Sequence, residues 1–459
     1  MARLTLCHGG PTVARMKDGR SPVFARVLRG SALTAGSYAI SQALRLVSNL
    51  ILTRLLFPEA FGLMALVSVF LVGLAMFSDV GLGPAIVRSP RGDDRDFLDT
   101  AWTVQVLRGA LLWALTCALA WPVAQVYDAP DLALLLPAAG MTLFIAGFNP
   151  TRIETANRHL MLGRLTALDL AAQIIGIVAI VILSFALRSV WALVIGAIIG
   201  ALAKLVLTDL GLPGARNRLR WDTAAGGELI HFGKWIFLST ACNFLLSQGD
   251  KAILGAYLRL DELGIYNVGY FLASFPVLLG GSVVGRVLMP IYRDHPPAAD
   301  QANFARLRKL RVAMTGGMLA MLAVMGGLGH PLVGLLYDPR YAHAGAIVVA
   351  IACVQIPVVL GMTYDQSALA AGDSRNFFVV MALRAGALSG AFWVGAALDG
   401  LRGALIGQFI AATVMHLPII WLARRHGAWD PRHDLAFGAL GAMLIAGILW
   451  WNAAILGQI

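Results

Sequence analysis

Long apolar runs recur along this chain, separated by short polar breaks. Thirteen of them are long enough to read as helical spans, within a range of 12–14. They run over Ser31–Leu56, Phe61–Val87, Thr100–Val126, Leu132–Thr151, Leu165–Leu187, Ser189–Leu210, Leu229–Leu258, Leu263–Ile291, Leu307–Leu336, Ala344–Ala371, Asn376–Leu398, Leu401–Leu422 and Leu435–Leu456. The runs are continuous rather than alternating, so they predict helices and not the strands of a membrane barrel. Only Arg188 and Ser189 separate the fifth from the sixth, which predicts a tight hairpin.

Two breaks resemble each other. SNLILTRLLFPEAFGLMALVSVF, from Ser48, aligns with DKAILGAYLRLDELGIYNVGYF, from Asp250, at an offset of 202 residues that sets Gly62 on Gly264. PVAQVYDAPDLALLLPAA, from Pro122, aligns with PLVGLLYDPRYAHAGAIV, from Pro331, and sets Tyr127-Asp128 on Tyr337-Asp338. Six spans separate the repeats, so they are parallel, related by a pseudo-two-fold axis along the membrane normal. The expected fold is an all-α polytopic membrane protein with two pseudo-symmetric six-helix lobes around a central cavity. The lobes are expected at residues 31–210 and 229–423, joined by a cytoplasmic linker at 211–228. A basic cytoplasmic tail at 1–30 precedes them. A cytoplasmic loop and one appended helix follow at 424–459.

Composition agrees. Hydrophobic residues make up 58% of the 459 and charged residues 13%, with a mean hydropathy of +0.75. An ordinary soluble domain is about one quarter charged. The net charge of +11 has a simple source. One alternate set of loops carries most of the arginines, including Arg88, Arg91, Arg158, Arg218, Arg308 and Arg424, and the opposite set carries Arg54, Arg188, Arg259, Arg340 and Arg402. The positive-inside rule puts the first set and the N-terminus in the cytoplasm. Nucleic acid is not needed to explain the charge. The first thirty residues lack the apolar core of a cleaved signal peptide, and Met16 is an alternative start.

Candidate chemistry lies inside the spans. Gln42, Arg45 and Asn49 share one helix face at spacings i, i+3 and i+7. Arg45 sits about 14 residues into its span, about 20 Å at the helical rise, too deep to snorkel comfortably. Asn243, Ser247 and Asp250 form a similar stripe in the seventh span, and the offset sets Ser247 on Arg45. Both stripes are expected to line the cavity; the competing reading is a structural Arg45–Asp250 pair locking the lobes. Asp79, Arg286, Asp365 and Arg384 extend the set, with capping or interfacial anchoring as an equally weighted reading. Lys204, Lys234 and Glu154 read as interfacial. An arginine-lined cavity suits a phosphate-bearing ligand, while Asp250 and the amides suit sugar hydroxyls or a coupling cation.

No catalytic signature accompanies these residues. Walker, HExxH and GxSxG motifs are absent, no Cys/His cluster suggests a metal, and Cys7, Cys117, Cys242 and Cys353 are far apart. The chain reads as a transporter without a cofactor rather than an enzyme.

LTRLLFPEAFGLMAL, FSDVGLGPAIVR, QGDKAILGAYLRLDELGIYNVGYFLASFP and RIETANRHLMLGRL together resemble bacterial polysaccharide flippases, over most of the chain from about residue 30. That family belongs to the multidrug/oligosaccharidyl-lipid/polysaccharide exporter superfamily. The resemblance implies two six-helix lobes, often with extra C-terminal helices. It implies flipping of a polyprenyl-pyrophosphate-linked oligosaccharide for exopolysaccharide, capsule or O-antigen export. Its partners would be that substrate, membrane lipid, a coupling cation and other polysaccharide-assembly proteins. Members typically have twelve or fourteen spans, against thirteen here. The alternatives are a cation-coupled multidrug exporter or a lipid II flippase, and, in another class, a membrane-embedded glycan polymerase or ligase. The last generally needs a large extracytoplasmic loop, which this sequence lacks.

Overall fold

A computed structural model describes residues 22–79, 81–222 and 236–457. The expected tail up to residue 21, with Cys7 and Met16, lies outside the described residues. So do Leu229 and Lys234 at the start of the seventh expected span.

Every regular element among the described residues is helical. The first half holds α1 (Pro22–Leu55), α2 (Pro58–Phe77), α3 (Leu82–Arg88), α4 (Arg95–Val126), α5 (Leu132–Gly147), α6 (Arg152–Arg158), α7 (Leu162–Leu187) and α8 (Trp191–Gly211). The second holds α9 (Ile236–Leu254), α10 (Leu260–Ala273), α11 (Phe275–Asp294), α12 (Gln301–Leu336), α13 (Ala344–Met362), α14 (Asp365–Ala370), α15 (Ser374–Val414) and α16 (His416–Arg425). Then follow α17 (Pro431–Trp451) and α18 (Ala453–Leu456).

Local chemistry explains the boundaries. Pro58 opens α2, where a missing N–H costs nothing and the fixed φ suits a helix. Asp94, Asp300 and Asp373 cap α4, α12 and α15 by accepting from backbone N–H groups two or three residues on. Arg188 takes a left-handed turn at φ 46°, which closes the tight hairpin between α7 and α8.

Among the described residues nine helices are long and apolar enough to cross a membrane, and the bent pair α5–α6 makes a tenth. One of the nine, Ser374–Arg425, contains two expected spans. Its backbone reverses at Asp399 and Gly400, and Gly400 (φ 54°, ψ −137°) adopts a conformation open to glycine. Glycines 395 and 403 then meet face to face across the two arms. With α1 and α9 these account for the thirteen expected passages.

Several passages are broken rather than straight, the second, fourth and eighth among them. The second breaks at residues 78–81 between α2 and α3, where Asp79 accepts from the Gly81 N–H at 2.9 Å. The fourth bends by 58° between α5 and α6. The eighth breaks at Ser274 between α10 and α11. The proline and small polar residues at these points cannot extend a helical ladder cheaply.

The repeat is visible as packing. A Cβ on Gly62 would overlap the carbonyl oxygen of Leu260, and one on Gly264 would overlap that of Pro58. The offset that sets Gly62 on Gly264 also sets Pro58 on Leu260, so the contact is reciprocal. It joins α2 and α10 across the two halves.

The segment 212–222, within the expected cytoplasmic linker, is held against the first half. Asp99 accepts from the Arg218 N–H at 3.1 Å, Thr151 from the Asn217 amide at 2.8 Å and Thr100 from the Asp222 N–H at 3.0 Å.

Helix α17 is also more than an appendage. The Asp434 carboxylate meets Tyr364 Oη at 2.7 Å, Trp429 Nε1 at 2.9 Å, His433 Nδ1 at 3.0 Å and His416 Nε2 at 3.3 Å. Arg308 pairs bidentately with the buried Asp430, and the buried Arg311 stacks 4.2 Å over Tyr364. Asp434→Ala strands buried donors, each worth about 1–3 kcal/mol. We expect a clear fall in the melting temperature of the detergent-purified protein, with Asp434→Asn intermediate.

Candidate substrate cavity

A cavity of about 780 Å³ opens beside α1, α7 and α8. α1 lines it with Arg45, Ser48, Asn49 and Leu52. α7 adds Asp169, Gln173 and Gly176. α8 adds Gly196, Gly200 and Lys204, α2 adds Ser68, and α10 adds Phe271. A second cavity of about 270 Å³ shares Asp169 and Gln173 with it and is lined by Ser41, Asn157, Thr166 and Arg286. The two therefore adjoin, and the second brings α11 of the other half to the same polar surface.

Small residues on α7 and α8 let these helices approach closely, with Gly176 against Gly200. α1 rests on α7 through a pair of bonds: the Ser41 hydroxyl donates to Gln173 Oε1 at 2.7 Å, and the Gln173 amide donates to the Ser41 carbonyl at 3.1 Å. This pair presents the next turn of α1 to the cavity.

Arg45 is exposed to the cavity and forms no ion pair or hydrogen bond among the described residues. Asn49 Oδ1 beside it is buried without a partner among them. Lys204 pairs with Asp169 at 3.0 Å, both half exposed to the same space. Arg286 is exposed and likewise unpaired among the described residues. A charge at membrane depth costs about 2.5–3.5 kcal/mol on insertion scales, so an unpaired arginine there faces water or a ligand.

Of the expected residues, Arg45, Asn49 and Arg286 line these cavities. Gln42 shares α1 with Arg45 and Asn49 but is buried and lines neither cavity. The second stripe is elsewhere. Asp250 accepts from the Tyr266 hydroxyl at 2.8 Å, Ser247 donates to the carbonyl of Phe244 at 3.4 Å, and exposed Asn243 lines neither cavity. Among the described residues no ion pair joins Arg45 to Asp250. Arg384 and Asp365 pair with each other at 3.4 Å, largely buried in the second half. Asp79 serves the break after α2.

Lys204, read as interfacial from sequence, lines the cavity. Asp169 and Gln173 drew no notice. The signal was present: Gly196, Gly200 and Lys204 repeat at i+4, as do Asp169 and Gln173, so a polar tip shares a face with small residues.

The seams between the halves are unequal. α9 packs on α2, with Phe244 against Gly73 and its ring 5.2 Å from that of Phe77. The repeat partner of this seam is α1 against α10. It has no comparable packing among the described residues, and the cavity opens there.

Comparison with known proteins agrees with this arrangement. The fold resembles that of a lipid II flippase, MurJ, in an inward closed conformation (TM-score 0.69, 13% identity, 94% of this chain and 96% of that one). It also resembles an inward-facing multidrug resistance transporter of the MATE family (TM-score 0.67, 14% identity, 84% and 95%). Both have two helical lobes, as expected here. By sequence, the chain is 24% identical over 387 residues to the succinoglycan biosynthesis transport protein ExoT of Rhizobium meliloti, covering 83% of this chain and 77% of that one. It is 22% identical over 360 residues to the teichuronic acid biosynthesis protein TuaB of Bacillus subtilis, covering 74% and 72%. It is 23% identical over 318 residues to the lipopolysaccharide biosynthesis protein WzxC of Escherichia coli, covering 68% and 61%. Residues 51–344, more than half of the chain, match the family described as polysaccharide biosynthesis protein. This multi-pass membrane chain, with its arginine-bearing cavity lined mainly by the first half, therefore belongs to the polysaccharide biosynthesis protein family.

Proposed function

We propose that this protein flips a polyprenyl-pyrophosphate-linked oligosaccharide across the bacterial inner membrane, for export of an exopolysaccharide, capsule or O-antigen, by alternating access of its two halves. The observation that carries this reading is Arg45. It is unpaired in a large cavity at membrane depth, with Lys204 and Arg286 on the surrounding walls. Guanidinium groups bind pyrophosphate oxygens bidentately, while Ser48, Asn49 and Gln173 offer partners to sugar hydroxyls. The open seam between α1 and α10 leaves a path for the polyprenyl tail to stay in lipid. The basic loops support a cytoplasmic N-terminus. The halves correspond to residues 31–210 and 229–423, followed by the extra helix within 424–459.

The names of the relatives support the class of cargo, and the lipid II flippase likeness supports the fold needed for it. No cofactor enters this reading, and a coupling cation or assembly proteins would act beside the cavity, not in place of it. Reconstitution in proteoliposomes tests it. A fluorescent polyprenyl-pyrophosphate-linked oligosaccharide is expected to cross the bilayer with the protein and not with empty vesicles. Transport of cationic drugs with no movement of the lipid-linked sugar would support the multidrug exporter instead.

A further inference from the structure

Two connections reach across the halves at the end where α1 meets α2. In the first half, the turn after α4 contributes Tyr127, whose hydroxyl donates to the Ala252 carbonyl in the last turn of α9 at 3.1 Å. In the second half, the repeat-equivalent turn after α12 contributes Arg340 and Tyr341. The Tyr341 hydroxyl donates to the Leu56 carbonyl at 3.1 Å, and Arg340 donates to the Arg54 carbonyl at 3.2 Å. Each half thus holds the C-terminal turn of the other half's first helix.

The acceptors explain why this works. The last carbonyls of a helix have no partner within it. A phenol or guanidinium can take them up, and water can replace it, without unwinding the helix. Rings surround the second clasp: Tyr341 meets Phe61 edge-on at 5.8 Å, and Arg340 lies 4.8 Å over Phe57. Arg340 also hydrogen-bonds Asp338, which holds that carboxyl below the usual range. The pair is asymmetric. Tyr337, the repeat partner of Tyr127, is buried with its hydroxyl unpartnered among the described residues.

We propose that Tyr127, Arg340 and Tyr341 form a double clasp that is the outer gate of transport. It closes the cavity on the side where α2 and α10 cross, and it sets the balance between inward and outward states. The gate rests on the alternating-access reading and on the orientation given above. Breaking the bonds exposes helix-end carbonyls to water without unwinding either helix. The three residues touch no cavity wall and act by positioning the halves.

The test uses the full chain in proteoliposomes, with its four cysteines replaced and Leu52→Cys added as a reporter in the cavity. A membrane-impermeant maleimide is applied from one side at a time. Tyr127→Phe with Tyr341→Phe keeps both rings and removes both hydroxyls. At about 1 kcal/mol per hydrogen bond, labelling from outside is expected to rise by about tenfold or more. Labelling from inside falls. Arg340→Gln shifts both rates in the same sense. Unchanged rates at equal abundance overturn the gate, and so do rates that rise together from both sides, which mark general loosening. Single cysteines at Arg188 and Arg164 report the sidedness. If these controls are swapped, the orientation is wrong, while a reciprocal change in the two rates still upholds the gate.

Discussion

Arg45→Ala is expected to abolish polysaccharide export while the protein remains folded in the membrane. The guanidinium makes no structural bond among the described residues, so its loss removes no support from α1. It also relieves the cost of holding a charge at membrane depth. What is lost is a pair of charge-assisted hydrogen bonds to the ligand, about 1.5–3 kcal/mol each, and hence roughly two to four orders of magnitude in affinity. Arg45→Lys keeps the charge but not the planar fork, and we expect it to fall between the two. The check is surface polysaccharide measured against membrane abundance of each variant. Normal export by Arg45→Ala at equal abundance would remove the ligand role from this residue.

Gly62→Ala and Gly264→Ala are expected to be strongly destabilising. Each new methyl meets a backbone carbonyl of the opposite half, and a backbone cannot rotate out of the way as a side chain can. Overpacking of this kind costs about 1–3 kcal/mol. The two positions share one crossing between α2 and α10, so once one methyl has spread the helices the second finds room. The double variant is therefore expected to cost less than the sum of the singles, since contacting sites couple. Thermal unfolding of the four proteins in detergent gives the coupling directly. Additive losses would show that the two glycines do not report on one shared contact.

The fold was largely legible in the chain because a bilayer leaves few options. Backbone groups in lipid must be satisfied within a helix, so run length alone marks the passages. Loop alternation supports an orientation for the same reason. The repeat was also legible, since the close crossing of α2 and α10 admits only glycine at residues 62 and 264, and that demand is written twice. The candidate site was less so. Arg45 could be picked out as a charge in an apolar run. Its companions could not, because Lys204 and Asp169 sit near helix ends where a charge is unremarkable in sequence. The second stripe shows the same limit: the spacing of Asn243, Ser247 and Asp250 places them on a face, yet Asp250 turns to Tyr266.

By itself, then, the sequence determined a helical membrane protein of two similar halves with an arginine within its first span. These properties follow from composition, period and internal likeness. Tertiary structure alone decided which halves of the repeat stayed alike. One seam, α2 against α9, closed on Phe77 and Phe244, while its partner seam at α1 opened onto the cavity. Tyr127 found a carbonyl across the halves, and its repeat partner Tyr337 did not. Pseudo-symmetric sequences encode the same helices twice, but a transporter must hold one end shut and the other open. That asymmetry lives in long-range contacts, which no local pattern of residues records.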